Sequence, residues 1–411
     1  MEFVSGLGIP GDKIYGLYEW LYPKDGMTFL FIIVTTKGGQ LLIISAEKED
    51  THMRDERSRI RYYTRYRRKG FGEPIYSVVG DAEGLILCVG KSLHWETLDL
   101  AEKKLKPRKK FVLESPATSL REVKGRVYAL TQNHSLEVVS LAGSKVSGSH
   151  DTSLPAGGVG AITGDGGSNA QDEMLLLYCD RVSRSAVHMV DIGSSEDDGK
   201  AAWPMTLLCD RQRGFVGLWA PRDHNSKHFE VLFEGTLPAS IRRFCRGHGR
   251  PPWERERDDR MGPQFGKIPS TDDGSEILGM CLDGSVQHFT LLKEDAWRFL
   301  RLVQNLANRS ERTYPFTFQK MPLAAENFGL VPTDQPRSMM HIDGDMLQRC
   351  YDSRGLEHVV NSHPLGMGLM RDYLDQLEEG KWTAKISGVG DSEGYFEVGY
   401  NVLEYFLRPA L

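Results

Sequence analysis

From Ile14 to Leu291 the chain is a long succession of short apolar runs, and this rhythm limits the fold more than any other feature. The runs are about five to eight residues long, rich in β-branched and aromatic side chains, and separated by Gly, Asp, Asn and Lys-Gly turns. Met27–Val34, Gly39–Ala46, Pro74–Gly80, Gly84–Gly90, Ser92–Leu98, Gly125–Thr131 and Ser135–Leu141 are examples. Glu173–Cys179, Ala186–Ile192, Gly214–Ala220 and His228–Gly235 continue the series. They fall into groups about 40–50 residues apart, the interval of a four-stranded propeller blade. Ile75–Leu113 holds four strands on this reading, and Ala117–Ser149 another four. The expectation is an all-β propeller of about five to seven blades. A strand from near the N-terminus is expected to close the ring and remove the exposed edge. No Gly-His…Trp-Asp signature recurs, so a WD40 array is not supported, and a large β-sandwich or two barrels is the alternative.

Three segments interrupt the rhythm. Leu154–Gln171 is Gly-rich, Ser194–Lys200 reads as an acidic loop tip, and Gly247–Asp273 is charged and aperiodic, read as a mobile insertion. After residue 291 the period changes. Ala296, Phe299, Leu300, Val303, Leu306 and Ala307 recur at three and four, on one face of a helix with Asp295 as N-cap. Asp343 or Asp345 caps a second helix over Met346–Tyr351, and Leu369–Glu379 is a third, ended by Gly380. The tail Gly394–Leu411, with Tyr395, Phe396, Tyr400, Tyr405 and Phe406, is expected to pack back on its domain. The division expected is therefore a propeller over 1–291, with the insertion 247–273, and a small α-helical domain over 292–411.

The 411 residues suffice for two or three domains, or for one repeat domain with an extension. A net charge of −5 exerts no global pull toward nucleic acid or an anionic membrane. Six cysteines, none in a CxxC pair, read as free thiols of a reducing compartment, with no zinc site expected. The start lacks a basic segment leading into a long apolar core, and the longest apolar stretch, Phe29–Val34, is too short to span a bilayer. An intracellular protein without membrane contact is expected.

The chemistry-bearing motifs are sparse. The sequence holds no G-x-S-x-G elbow, no H-E-x-x-H and no Walker A loop. His94, His134, His188, His228 and His288 lie in or beside strands and read as packed or surface groups. Asp343 and Asp345 are explained by helix capping. No catalytic residue, cofactor, metal or small-molecule substrate is expected. The best functional patch is Arg57–Lys69. If Arg59–Arg67 is a strand, alternation puts Arg59, Arg61, Tyr63, Arg65 and Arg67 on one face and Ile60, Tyr62, Thr64 and Tyr66 on the other. A basic face carrying an aromatic suits a phosphate backbone with a base on the ring; the plainer reading is a charged outer strand that resists aggregation. Lys103–Lys110 reads as a solvated turn between strands, and Arg242, Arg243 and Arg246 widen the basic surface if they share its face. Arg65–Lys69 also has the composition of a weak nuclear import signal.

Several segments carry a family resemblance. Glu276–Leu291 is a strand pair turning at Asp283-Gly284, and it runs straight into the amphipathic Lys293–Arg309. Glu294, Trp297, Leu300 and Gln304 supply an acid, an aromatic, a leucine and a glutamine along that helix. Ile342-Asp343-Gly344-Asp345, Leu232–Gly247 and Lys69–Asp99 complete the pattern. The order resembles the C-terminal region of one β-propeller family. Its members are the large damaged-DNA-binding adaptor of cullin-4 ubiquitin ligases, the largest subunit of the cleavage and polyadenylation specificity factor, and the large propeller subunit of splicing factor 3b. The resemblance implies the third propeller and the helical domain alone, with no counterpart of the propeller that docks the cullin. It implies a non-catalytic nuclear scaffold with protein subunits as partners. The ligase-adaptor branch, linked to DNA repair or chromatin, is the first expectation. An RNA-processing subunit, for mRNA 3′-end cleavage or splicing, is the alternative, with DNA or RNA as a further partner. A propeller enzyme, the third class, would need His, Asp or Glu clustered at a central channel. Trp297 has two readings: a plug holding the helix in place, or, with Leu300 and Gln304, the frame of a groove for a partner's helix.

Overall fold

A computed structural model describes residues 13–24, 26–49, 59–68, 70–99, 101–102, 104–141, 174–192, 205–221, 226–247, 265–268, 275–309, 340–384, 386 and 392–407, with the side chains of 47–49 and 59–61 excepted. The expected Gly-rich segment and acidic loop tip lie outside these residues. Strands β1 (Ile14–Lys24), β2 (Met27–Thr36), β3 (Leu41–Glu49) and β4 (Arg59–Arg68) form a first antiparallel sheet in chain order. A second holds β5 (Ile75–Gly80), β6 (Leu85–Val89), β7 (Ser92–Asp99) and β8 (Lys104–Val112). A third holds β9 (Ala117–Val123), β10 (Arg126–Thr131), β11 (Leu136–Ser140) and β12 (Leu175–Cys179). The fourth strand of this sheet comes from beyond the Gly-rich segment and not from before Ser149. A fourth sheet is β13 (Ala186–Ile192), β14 (Met205–Asp210), β15 (Gly214–Trp219) and β16 (Glu230–Thr236). The last strands are β17 (Ile241–Gly247), β18 (Lys267–Ile268), β19 (Glu276–Cys281), β20 (Val286–Phe289) and β21 (Leu291–Leu292); β17, β19 and β20 make a three-stranded sheet, and β18 pairs with β21.

The chain divides into two compact units, Met1–Ala186 with Pro221–Phe229 and Val187–Ala220 with Glu230–Leu411. In unit 1 the first strands of consecutive sheets are neighbours, β1 beside β5 and β5 beside β9. Tyr18 donates to the Tyr76 carbonyl at 3.3 Å and Ser77 to the Ala117 carbonyl at 2.6 Å, so each first strand is tied to the next. The apolar face of the first sheet, with Trp20, Phe31, Ile33, Leu41 and Ile43, packs on Ile75, Leu85, Leu87 and Leu98 of the second. The opposite face of the second sheet, with Ile86, Leu93 and Trp95, packs on Ala117, Val127 and Val139 of the third. Alternation along β6 and β7 thus serves two cores at once. Gly80 lets Trp20 approach, since a Cβ there would overlap the indole, whose N–H donates to the Asp81 carbonyl at 3.0 Å. On the outer edge of β12, Cys179 bonds through its backbone to Lys227 and Phe229 in a parallel bridge.

Unit 2 joins strands and helices. Phe215, Ile241, Phe244 and Ile277 anchor its sheet core. Helices α1 (Glu294–Asn308), α2 (Gly344–Asp352), α3 (Leu356–Asn361), α4 (Gly366–Gln376) and α5 (Ser392–Leu407) enclose a second core. All six apolar α1 positions read from the period are buried. Asp343 caps α2 by accepting the backbone N–H groups of Asp345 and Met346. The N-cap of α1 is Lys293 and not Asp295, which lies within the first turn. The tail packs back as expected, with Phe396, Tyr400, Leu403 and Leu407 buried. The short α3 was not foreseen, because six residues give too little period. Where the expected insertion 247–273 is described, Phe265 is buried among the helices and β18 is paired, so this part is anchored. The change of period at residue 291 lies inside unit 2, whereas the division by compactness falls within the strand series. Among the described residues no helix is long and apolar enough to cross a membrane.

Candidate nucleic-acid interface

The basic run expected to be a strand is one: Arg59–Arg68 is the outer strand of the first sheet. Its alternation is broken by a bulge. Tyr63 pairs with Ser45 and Thr64 with Ile44, but Tyr66 pairs with Ile43, leaving Arg65 as the extra residue. Paired residues share a face. Tyr63, Tyr66 and Arg68 therefore share the face of Ser45, Ile43 and Leu41, while Arg67 joins Leu42 on the other. The expected single face is corrected accordingly: Arg67 leaves it, Tyr66 and Arg68 enter it. Tyr66 packs against the core between the first two sheets. Arg65 donates through Nε to Ser45 Oγ at 2.7 Å and lies 5.5 Å from the Tyr63 ring. Tyr63 is 40% exposed and Arg67 is exposed. Arg59 and Arg61 stand in register opposite Glu49 and Glu47.

The second basic run is a larger correction. Lys103–Lys110 is not a turn: from Lys104 it forms β8, the outer strand of the second sheet. Pro107 is tolerated because an edge strand has backbone donors to spare. Here too the outer strand is bulged at an arginine. Trp95 pairs with Lys109 and Glu96 with Pro107, so Arg108 is extra, and its guanidinium lies 4.8 Å from the Trp95 ring.

Between these strands, β7 presents His94 and Trp95 to opposite sides. On the side of the first sheet, His94 lies 5.8 Å from the Phe71 ring, and Arg68 stacks on Phe71 at 3.8 Å while pairing with Glu96 at 3.0 Å. Burial, then the charges of Lys110 and Arg68, push the His94 imidazole below its ordinary range. Burial pushes the Glu96 carboxyl up, opposed by Arg68. The cations of β4 and β8 thus meet around His94. On the other side, Lys109 Nζ lies 5.8 Å from the Trp95 ring and donates to the Leu141 carbonyl at 2.9 Å. Trp95, Arg108 and Lys109 were missed because the run was read as a turn; the alternation of Ser92–Leu98 beside a Pro-containing basic run was the available signal.

The predicted groove residues of α1 sit elsewhere, in unit 2. Trp297 Nε1 donates to the Met340 carbonyl at 3.1 Å, and Arg301 to the His341 carbonyl at 3.0 Å. Gln304 Oε1 accepts the Asp343 N–H at 2.6 Å. Leu300 is 1% exposed and Gln304 6%. One face of α1 therefore grips the chain's own residues 340–343, the entry to α2, and this is where a partner helix was expected. Three of the other predicted histidines are engaged too, and His134 is exposed. His188 Nδ1 accepts the Phe244 N–H at 3.2 Å, His228 Nδ1 lies 3.4 Å from Cys179 Sγ, and His288 lies 3.1 Å from Glu276. Among the described residues all six cysteines are free, and no group of three or more His, Cys, Asp or Glu is placed to hold a metal. No protein-family model matches the chain, and no curated protein matches it in sequence.

Proposed function

We propose that this chain is a non-catalytic scaffold of the β-propeller kind with a helical C-terminal domain, and that unit 1 binds nucleic acid along β4 and β8. Four-stranded sheets in chain order, with β1, β5 and β9 as successive neighbours, support the blade reading. The observation that carries the binding site is the pair of outer strands, each with five Lys or Arg, on adjacent sheets of one unit. Charged side chains also serve to blunt a sheet edge, but both edges here carry far more than isolated charges. Lys110 of β8 and Arg68 of β4 both reach His94, where they add to the effect of burial in disfavouring its protonated form, a cost that plain solubility does not require. Repeated cations on neighbouring strands match repeated phosphates.

The assembly that this scaffold serves is read from the resemblance. The Ile342–Asp345 motif, which α1 grips, supports a nuclear ligase-adaptor complex linked to DNA repair or chromatin. The exposed Tyr62 and Tyr63 among arginines favour single strands, and with them the RNA-processing reading. Affinity purification of the tagged chain with mass spectrometry separates the two: a cullin and its receptors, or splicing and polyadenylation subunits. Reversal of Arg61, Arg65 and Arg67 to Glu tests the interface. Salt-sensitive binding of a single-stranded oligonucleotide should vanish, and unchanged binding would refute it.

A further inference from the structure

A cleft of about 600 Å³ opens in unit 1 between the second and third sheets. Its size falls within the range of small-ligand sites. Arg108 and Lys109 line one part of it over the Trp95 ring, and Leu141 and the Gly125 turn supply a further wall. The β5–β6 turn adds the carboxylates of Asp81 and Glu83, the latter paired with Arg108. Trp95 is 7% exposed, and its indole N–H has no acceptor and no contact with solvent. A buried donor left without a partner marks a place where an acceptor is wanted.

We infer that this cleft holds one nucleotide turned out of a bound single strand, which rests on the nucleic-acid reading above. Its phosphate lies against Arg108 and Lys109, cations of the same outer strand whose lysines carry the backbone. The shift of the exposed Arg108 off the indole opens the Trp95 N–H to a phosphate or carbonyl oxygen. The base occupies the space beside Leu141 and Gly125. Glu83 stays with Arg108, and the Asp81 carboxylate accepts from an exocyclic amine, as Asp and Glu do from cytosine N4. The site therefore prefers a base that carries an amine and discriminates against uracil. A phosphopeptide would satisfy the two cations but brings no exocyclic amine to Asp81, so the nucleotide is the better fit.

The test compares labelled oligo(C) and oligo(U) by fluorescence polarisation at one salt concentration, with the full chain. Oligo(C) should bind about fivefold more tightly, since one good base contact gives discrimination of this order. Asp81→Asn keeps the oxygen that accepts the Ala82 N–H and should bring the ratio of the two affinities close to one. Trp95→Phe keeps the ring and should weaken oligo(C) about tenfold, the loss of one hydrogen bond to a charged group. Melting curves confirm that both variants fold, and a ¹⁵N-tryptophan spectrum locates the Trp95 N–H by its loss in Trp95→Phe. That resonance should move with oligo(C). If both oligonucleotides bind equally, the ratio ignores Asp81→Asn and the resonance stays still, the cleft proposal fails while the outer-strand interface stands. If neither oligonucleotide binds at low salt, the interface itself fails and the cleft proposal with it. A resonance that moves with a phosphoserine peptide and not with oligo(C) replaces the nucleotide by that peptide.

Discussion

The helical part of unit 2 and the outer strands of unit 1 spend similar side chains differently. On α1, an indole, a guanidinium and an amide, Trp297, Arg301 and Gln304, each bond a backbone group of residues 340–343. Their hydrogen-bonding capacity is used to close the fold. On β7 and β8, Trp95 keeps an unbonded N–H and Arg108 stays exposed over its ring. On β4, Arg67 is exposed on the face away from Arg68. Aromatic and basic residues are thus structural where the backbone needs a partner, and available where the sheet already satisfies its own backbone. A list of residue types cannot distinguish these cases; the bonding partner does.

Core truncation in the helical layer gives the largest expected effect. Phe299 is fully buried among Leu300, Val303, Met370 and Leu403. Phe299→Ala should cost about 3–5 kcal/mol. In denaturant titrations this should unfold unit 2 early, while oligonucleotide binding by unit 1 persists. Loss of binding in step with unfolding would show that the contrast between the regions is not a contrast between independent folding units.

The next effect is electrostatic and has opposite signs in the two units. Burial pushes the Glu137 carboxyl up to about 7, opposed by the Glu114 N–H it accepts. The unfolded chain loses that proton near 4.5. Between those values the folded chain holds the proton and the unfolded chain does not, so stability falls as pH rises from 4.5 through about 7. The loss above that window is on the order of 3 kcal/mol. Glu137→Gln should remove it and raise the melting temperature at pH 8. In unit 2, burial also works against the Glu276 carboxylate, but hydrogen bonds and charges of His288 and Lys267 outweigh it and hold the group below its ordinary range. That stability is present above the ordinary carboxylate range and is lost as pH falls below it. Calorimetry across pH should show the two units weakening in opposite directions. An identical pH slope in Glu137→Gln would remove Glu137 from the account.

A smaller effect separates available cations from structural ones. Arg67→Glu with Lys110→Glu changes exposed positions on the two outer strands. Stability should stay within about 0.5 kcal/mol. Oligonucleotide affinity should fall about tenfold or more, with a shallower salt dependence. Arg301→Gln on α1 should do the reverse, lowering stability and leaving binding intact. If both behave alike, the distinction drawn from bonding partners is wrong.

Much of the strand series and the apolar face of α1 were legible, because periods of two and near four survive in a single sequence. The bulges were not. Nothing in Arg59–Arg67 marks Arg65 as the extra residue, since the slip is set by β3 and its side-chain bond to Ser45. Lys103–Lys110 was misread because five cations and a proline of β8 outweigh Leu105, the one buried residue of that strand. The pairing of β12 with β11 across a long insertion has no local signal at all. The basic character of the site was therefore visible from composition. Its faces, and the role of Trp95, depend on cross-strand register.

Helix entry gives the smallest and sharpest test. Asp343 accepts the N–H groups of Asp345 at 3.0 Å and Met346 at 3.4 Å, and its own N–H is held by Gln304. Asp343→Ala removes the side-chain cap alone and should cost about 1 kcal/mol, while Asp343→Asn should cost much less. Trp297→Phe removes one donor to the Met340 carbonyl and should cost about as much as the cap. Both act on the same four residues, so the double variant should depart from additivity. Additive costs would mean that α1 does not hold the entry to α2 as one grip.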